Sequence, residues 1–160
     1  MTHSFVFCHG WGFDDSFWKS LYPYFKDSIC SFWNLGYFSE EDYPLHSQKS
    51  LIGIGHSIGM KKLTESPYDF KALIGLQGFT NFLGTDEKTQ PLRKKQLKSM
   101  TLGFNRSPRE TLNKFYSECG SFQPKKNAIE NLQKERLSQD LNNLSNRVKN
   151  RLCPTLILAS

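Results

Sequence analysis

The chain has 160 residues, 38% apolar and 22% charged, with a net charge of +6. That balance predicts one folded domain and excludes a disordered chain. No apolar run reaches the roughly 20 residues that span a bilayer, and Met1-Thr2-His3-Ser4 lacks the charged and apolar regions of a signal peptide, so a cytoplasmic, membrane-free protein is expected.

Residues 4–8, Ser-Phe-Val-Phe-Cys, are a short apolar run ending at His9-Gly10, which predicts a buried strand and a turn. Phe17, Trp18, Leu21, Tyr22 and Phe25 then follow helical spacing over 14–26, with Asp14, Asp15 and Ser16 as candidate caps and Pro23 as a weak point. Residues 28–33 predict a second strand, and the turn-rich stretch 34–48 a polar loop. Residues 50–54 predict a third strand. A helix should start after Ser57 and stop near Glu65, because Pro67 follows. Residues 71–76 predict a fourth strand. Strands alternating with helices imply a parallel sheet.

The pattern changes over 89–150, which is helical and polar with breaks near Ser107-Pro108 and Gln123-Pro124. Leu92, Leu97, Met100 and Leu102 open this stretch. Leu112, Phe115 and Tyr116 share a helix face with Ser107 as its cap, and Ile129, Leu132, Leu137 and Leu141 give an amphipathic helix over 128–141. After Pro154, residues 155–159 predict a fifth buried strand.

Charge follows the same division. Residues 84–126 carry ten Lys or Arg against four acids, whereas residues 1–83 carry six against eight. The basic segment is either a solvated helical face or a docking surface for an acidic partner; no motif supports nucleic acid. Cys8, Cys30, Cys119 and Cys153 form no C-x-x-C pair, so reduced core thiols are expected, with no metal and no cofactor.

The chemistry lies in two glycine motifs. Gly55-His56-Ser57-Ile58-Gly59 is a G-x-S-x-G between a predicted strand and a predicted helix, the setting of a nucleophile elbow. Glycines on both sides let strand and helix approach closely, while the serine takes a strained backbone and projects at the carboxyl end of the sheet. His9-Gly10-Trp11-Gly12 follows the first strand, where a loop supplies the second oxyanion donor. Ser57 is thus the candidate nucleophile, and the backbone N–H groups of Trp11 and Ile58 the candidate oxyanion hole, with the Trp11 ring offered to substrate.

These motifs, with Phe17-Trp18, the cap-like stretch Thr111–Gly120 and the returning strand Leu152–Leu158, resemble the pimeloyl-acyl-carrier-protein methyl ester carboxylesterases of biotin synthesis, members of the α/β-hydrolase superfamily. The resemblance implies an α/β-hydrolase-like parallel sheet with an inserted helical cap: core 1–83, cap 84–150 and a returning core strand 151–160. It also implies a serine carboxylesterase whose acyl substrate rides on an acidic acyl carrier protein. Phe115, Tyr116 and Cys119 would line the acyl channel, and Arg93, Lys94, Lys95, Arg106, Arg109 and Lys114 would dock the carrier. The family carries its acid and its histidine beyond the position matching Ser160, so a form lacking the last strands and helix, weak or inactive alone, is expected. Asp86, after the fourth strand, is a remote candidate acid. The alternatives are another hydrolase of the fold, such as a thioesterase, and a non-catalytic acyl-carrier-binding remnant.

Overall fold

A computed structural model describes residues 3–44, 50–120, 128–148 and 153–158. The expected break near Gln123-Pro124, His46, Leu152 and the end of the last strand at Ala159 lie outside the described residues.

The described strands form a single parallel sheet. They are β1 (Ser4–Cys8), β2 (Ile29–Trp33), β3 (Leu51–His56), β4 (Phe70–Leu76) and β5 (Thr155–Leu158), in the spatial order β2-β1-β3-β4-β5. From β1 the chain moves to β2 on one side, then crosses to β3 on the other. The winding reverses there, so the carboxyl ends of β1 and β3 flank a crevice, the usual place for a ligand in an open parallel sheet.

Side-chain alternation builds the two faces. Val6 and Cys8 of β1 point into one core, shared with the helices, while Phe5 and Phe7 point to the other. On the second face Phe7 meets Trp18, Phe25 and Phe32, each ring centroid 5.1 Å away. Trp18 lies on the segment expected to be an α-helix, but Asp15–Phe25 winds as a 3-10 helix. Asp14 caps it, its Oδ1 accepting from the Ser16 N–H at 2.9 Å. The tighter winding accommodates Pro23 and still buries Trp18 completely.

Helix α1 (Ile58–Glu65) packs on β1, β3 and β4. It ends where expected, with Ser66 Oγ donating to the Leu63 carbonyl at 2.7 Å just before Pro67. Three further helices follow β4: α2 (Gln90–Arg106), α3 (Pro108–Glu118) and α4 (Lys134–Asn143), with α2 packed on both others. Ser107-Pro108 breaks α2 from α3 because proline suits the first turn of a helix and no later one. Ser107 sits at the cap position, but its side chain makes no capping bond. Buried Leu97 and Phe104 of α2, Leu112 and Tyr116 of α3, and Leu137 and Leu141 of α4 join the core that holds Trp11 and Ile58.

Three further expectations change. The single helix over 128–141 is a 3-10 turn, Ala128–Asn131, followed by α4, because Gln133 leaves the helix to give its N–H to the Tyr37 carbonyl at 2.8 Å. The loop after β2 is not merely polar: Leu35, Tyr37 and Phe38 are buried. And β5 is exposed, with Leu156, Ile157 and Leu158 at 54%, 47% and 50% accessibility; among the described residues it lies at the sheet edge, pairs with β4 alone, and its side chains are left uncovered.

This difference between β4 and β5 is measurable. Leu156→Lys should shift the urea midpoint little, by less than about 0.5 kcal/mol. Leu73→Ala, at 2% accessibility on β4, should cost about 2–5 kcal/mol. Comparable losses from the two substitutions would contradict the exposed edge.

Candidate functional site

Backbone geometry sets the site. Ser57 joins β3 to α1 with φ +53° and ψ −121°, a conformation that side-chain-bearing residues avoid. Its N–H donates to the Leu76 carbonyl at 3.1 Å, which ties the bend to β4. The bend fits only because its neighbours lack side chains. A Cβ on Gly59 would come 2.1 Å from the Cys8 carbonyl oxygen, and one on Gly55 would come 2.4 Å from the Met60 nitrogen. A Cβ on Gly10 would come 2.6 Å from His56 Nδ1 and 3.3 Å from Ser57 Cβ. The His9–Gly12 loop therefore lies directly against the serine bend.

Trp11, Ser57, Ile58 and Phe115 line one apolar cavity of about 120 Å³. Phe79 and Phe82 from the segment after β4, Met100 of α2 and Leu141 of α4 complete its wall. Ile58 opens α1, so its N–H is among those without an intrahelical acceptor, and the helix end favours negative charge. The arrangement suits an ester carbonyl whose oxygen gains charge as the serine adds.

The Trp11 ring borders the cavity, and its indole N–H donates to the Leu137 carbonyl of α4 at 2.9 Å. Helix α4 thus holds the His9–Gly12 loop. A buried polar cluster fixes α4 in turn: Asp140 accepts from Tyr37 Oη at 2.6 Å and from Lys62 Nζ at 2.5 Å. Asp140 has only 4% accessibility, so leaving it without these partners would be costly. No sequence motif marks this cluster. Its signal was a carboxylate inside the apolar stripe Leu137, Asp140, Leu141.

The other expected channel residues lie elsewhere. Tyr116 is buried, with its hydroxyl donating to the Gly12 carbonyl, so it braces the oxyanion loop from behind. Cys119 is exposed at the end of α3, not a core thiol, whereas Cys8 is buried; all four cysteines are free. Arg93, Lys94, Lys95, Arg106, Arg109 and Lys114 are all exposed on α2 and α3. Among the described residues, no group of three or more His, Cys, Asp or Glu side chains is placed to hold a metal.

Neither histidine beside the bend serves as its base. His9 is fully buried, and its Nε2 accepts from the Leu35 N–H at 2.9 Å, so its proton sits on Nδ1, 2.9 Å from the Gly10 carbonyl. Burial lowers its pKa. His56 stacks on Phe17 with centroids 4.2 Å apart and packs edge-on against Phe13. Desolvation, then the nearby His9, lower its pKa to about 4 against a bond from Gln77. Among the described residues no hydrogen bond joins Ser57 Oγ to an imidazole. Asp86 sits in an exposed turn, where its carboxylate accepts from the Lys88 N–H at 3.2 Å; it is no partner for a catalytic base.

Comparison with solved structures bears on the fold. The chain is similar to MenH from S. aureus, with a TM-score of 0.66 and 16% identity over 99% of this chain and 76% of that one. It is similar to an esterase from Exiguobacterium antarcticum, with a TM-score of 0.71 and 14% identity over 97% of this chain and 72% of that one. The bottromycin epimerase BotH gives a TM-score of 0.70 and 10% identity over 98% of this chain and 72% of that one. No protein-family model matches the sequence, and no curated protein matches it. The chain has the α/β-hydrolase fold, a parallel sheet carrying a helical cap. An esterase and an epimerase share that fold, so the chemistry must be argued from the site. Among the described residues no helix is long and apolar enough to cross a membrane.

His56 provides a pH test. The unfolded chain takes up a proton near pH 6.5, the folded chain only near pH 4. Stability is therefore full above about pH 6.5 and falls as pH drops toward 4, by about 2–3 kcal/mol from this residue. His56→Gln should flatten that slope in urea melts, leaving the contribution of His9, which has the same sign. An unchanged slope would show that the ring is not buried neutral.

Proposed function

We propose that the chain is a serine hydrolase of carboxylic esters, acting through acyl transfer to Ser57. The observation that carries this reading is the serine held at φ +53° beside the Trp11 loop, at the mouth of an apolar cavity. A strained serine at a helix start, beside free first-turn amides, suits stabilisation of charge on an adding carbonyl. Nothing in a structural turn requires such strain.

The finer reading is the methyl ester of a pimeloyl chain on an acyl carrier protein. The sequence resemblance supports it, as does the basic face of α2 and α3, which suits an acidic carrier. A cytoplasmic setting goes with that substrate. Without a base a serine hydroxyl is a poor nucleophile, and losing a triad member costs several orders of magnitude, although an oxyanion site retains part of the acceleration. Slow, Ser57-dependent acylation is the expected behaviour of the described residues.

The placement of His9 and His56 favours a second reading: a non-catalytic protein that holds acyl carriers on its basic face. Labelling with a fluorophosphonate followed by intact mass measurement separates the two. The hydrolase reading expects one adduct, slow to form, and none on Ser57→Ala. If Ser57→Ala labels equally, or neither protein labels while both bind acyl carrier protein alike, the binding-protein reading replaces it.

A further inference from the structure

We infer that the substrate is an ester with one small apolar arm and one anionic arm, the anion held beside Arg93. This rests on the hydrolase reading above. Two neighbouring cavities share Phe79, Phe82 and Gln96 in their linings. The inner one contains Ser57, has no charged lining residue and measures about 120 Å³. A cavity of that size suits a short apolar group. The outer one measures about 470 Å³, and among the described residues Arg93 is its sole charged lining. Three carboxamides, Gln77, Asn81 and Gln96, line it beside Arg93.

Arg93 is positioned rather than neutralised. Its Nη1 donates to the Phe82 carbonyl at 3.3 Å, which directs the guanidinium along the cavity and leaves further N–H groups for a ligand. No ion pair among the described residues engages it. The cavity between α1 and α4 is of similar size, about 480 Å³, but its charges are used: Lys62 pairs with Asp140 and Arg136 with Glu41, each at 2.5 Å. The outer cavity thus offers a positive charge in no ion pair among the described residues, felt by Asp86 only at longer range, and an anion fits it. A small apolar group in the inner cavity, which Ser57 lines, leaves the other arm to reach past Phe79, Phe82 and Gln96 toward Arg93.

Paired esters that differ by one charge test this. The first pair is 5-butyryloxy-2-nitrobenzoate against 4-nitrophenyl butyrate, and the second is monomethyl glutarate against dimethyl glutarate. Together they place the anion on the alcohol side or the acyl side. In at least one pair the anionic ester should show kcat/KM about three- to tenfold higher, through KM. Arg93→Gln should remove the preference, Arg93→Lys should retain most of it, and added salt should shrink it. No preference in either pair, or one that survives Arg93→Gln, overturns the inference. If the protein turns nothing over, the hydrolase reading fails separately. Titration of Ser57→Ala with 5-butyramido-2-nitrobenzoate against 4-nitrobutyranilide then decides: tighter, Arg93-dependent binding of the anion supports the site, and equal affinity refutes it.

Discussion

The site depends on one steric fact: three backbone segments meet where there is no room for a side chain. The first turn of α1 presses on the carbonyls of Cys8 and His9, so closely that a Cβ on Gly59 would lie 2.1 Å from one of them. Ser57 cannot relax from φ +53° without pulling α1 away from β1. Strain of this kind costs about 1–3 kcal/mol and persists only where the surroundings over-determine it. Here the hydrogen bond to Leu76, the parallel pairing of β3 with β1 and β4, and the packing of α1 supply that constraint. Sheet order and serine geometry are thus one problem, since the bend exists only where β1 and β3 run side by side.

This explains why some of the molecule was legible in the sequence. Strands β1, β3 and β4, helix α1 and the serine bend follow from short-range rules: apolar runs, flanking glycines and a proline stop. These rules act within a few residues, and the sequence shows them directly. What failed were contacts made at long separation. Leu35, Tyr37 and Phe38 sit in a stretch that reads as a loop, yet all three are buried, and Leu35 and Tyr37 bond to α4 about 100 positions later. Leu156, Ile157 and Leu158 read as a buried strand because composition reports what a segment is made of, not what covers it. The 3-10 winding of Asp15–Phe25 escaped for a different reason: Trp18, Leu21 and Phe25 fit an α repeat equally well, and only Pro23 hinted at the tighter form.

The cap is coupled to the His9–Gly12 loop through polar atoms as well as through apolar packing. Leu137 and Leu141 bury the inner face of α4, and the Leu137 carbonyl also takes the Trp11 indole N–H. One turn further on, Asp140 gathers Tyr37 and Lys62 from two core elements. Apolar contacts alone would let α4 slide by a residue at small cost, since hydrophobic packing is weakly directional. Buried hydrogen bonds with fixed partners fix the register, because a slip would leave a buried carboxylate unpaired. The wall of the small cavity and the oxyanion loop are therefore set together.

The two histidines near the serine show how the same residue type serves structure here. His9 bridges the oxyanion loop and the loop after β2, accepting from Leu35 and donating to Gly10. His56 fills space between Phe13 and Phe17. Both must stay neutral to do so, and burial keeps them neutral. A base has to approach the hydroxyl from the open side and cycle through a charged state, which neither environment allows. Holding a strained serine at the bend and removing its proton are thus separate tasks. Backbone geometry does the first, and on the hydrolase proposal the second would need an imidazole outside this aromatic packing.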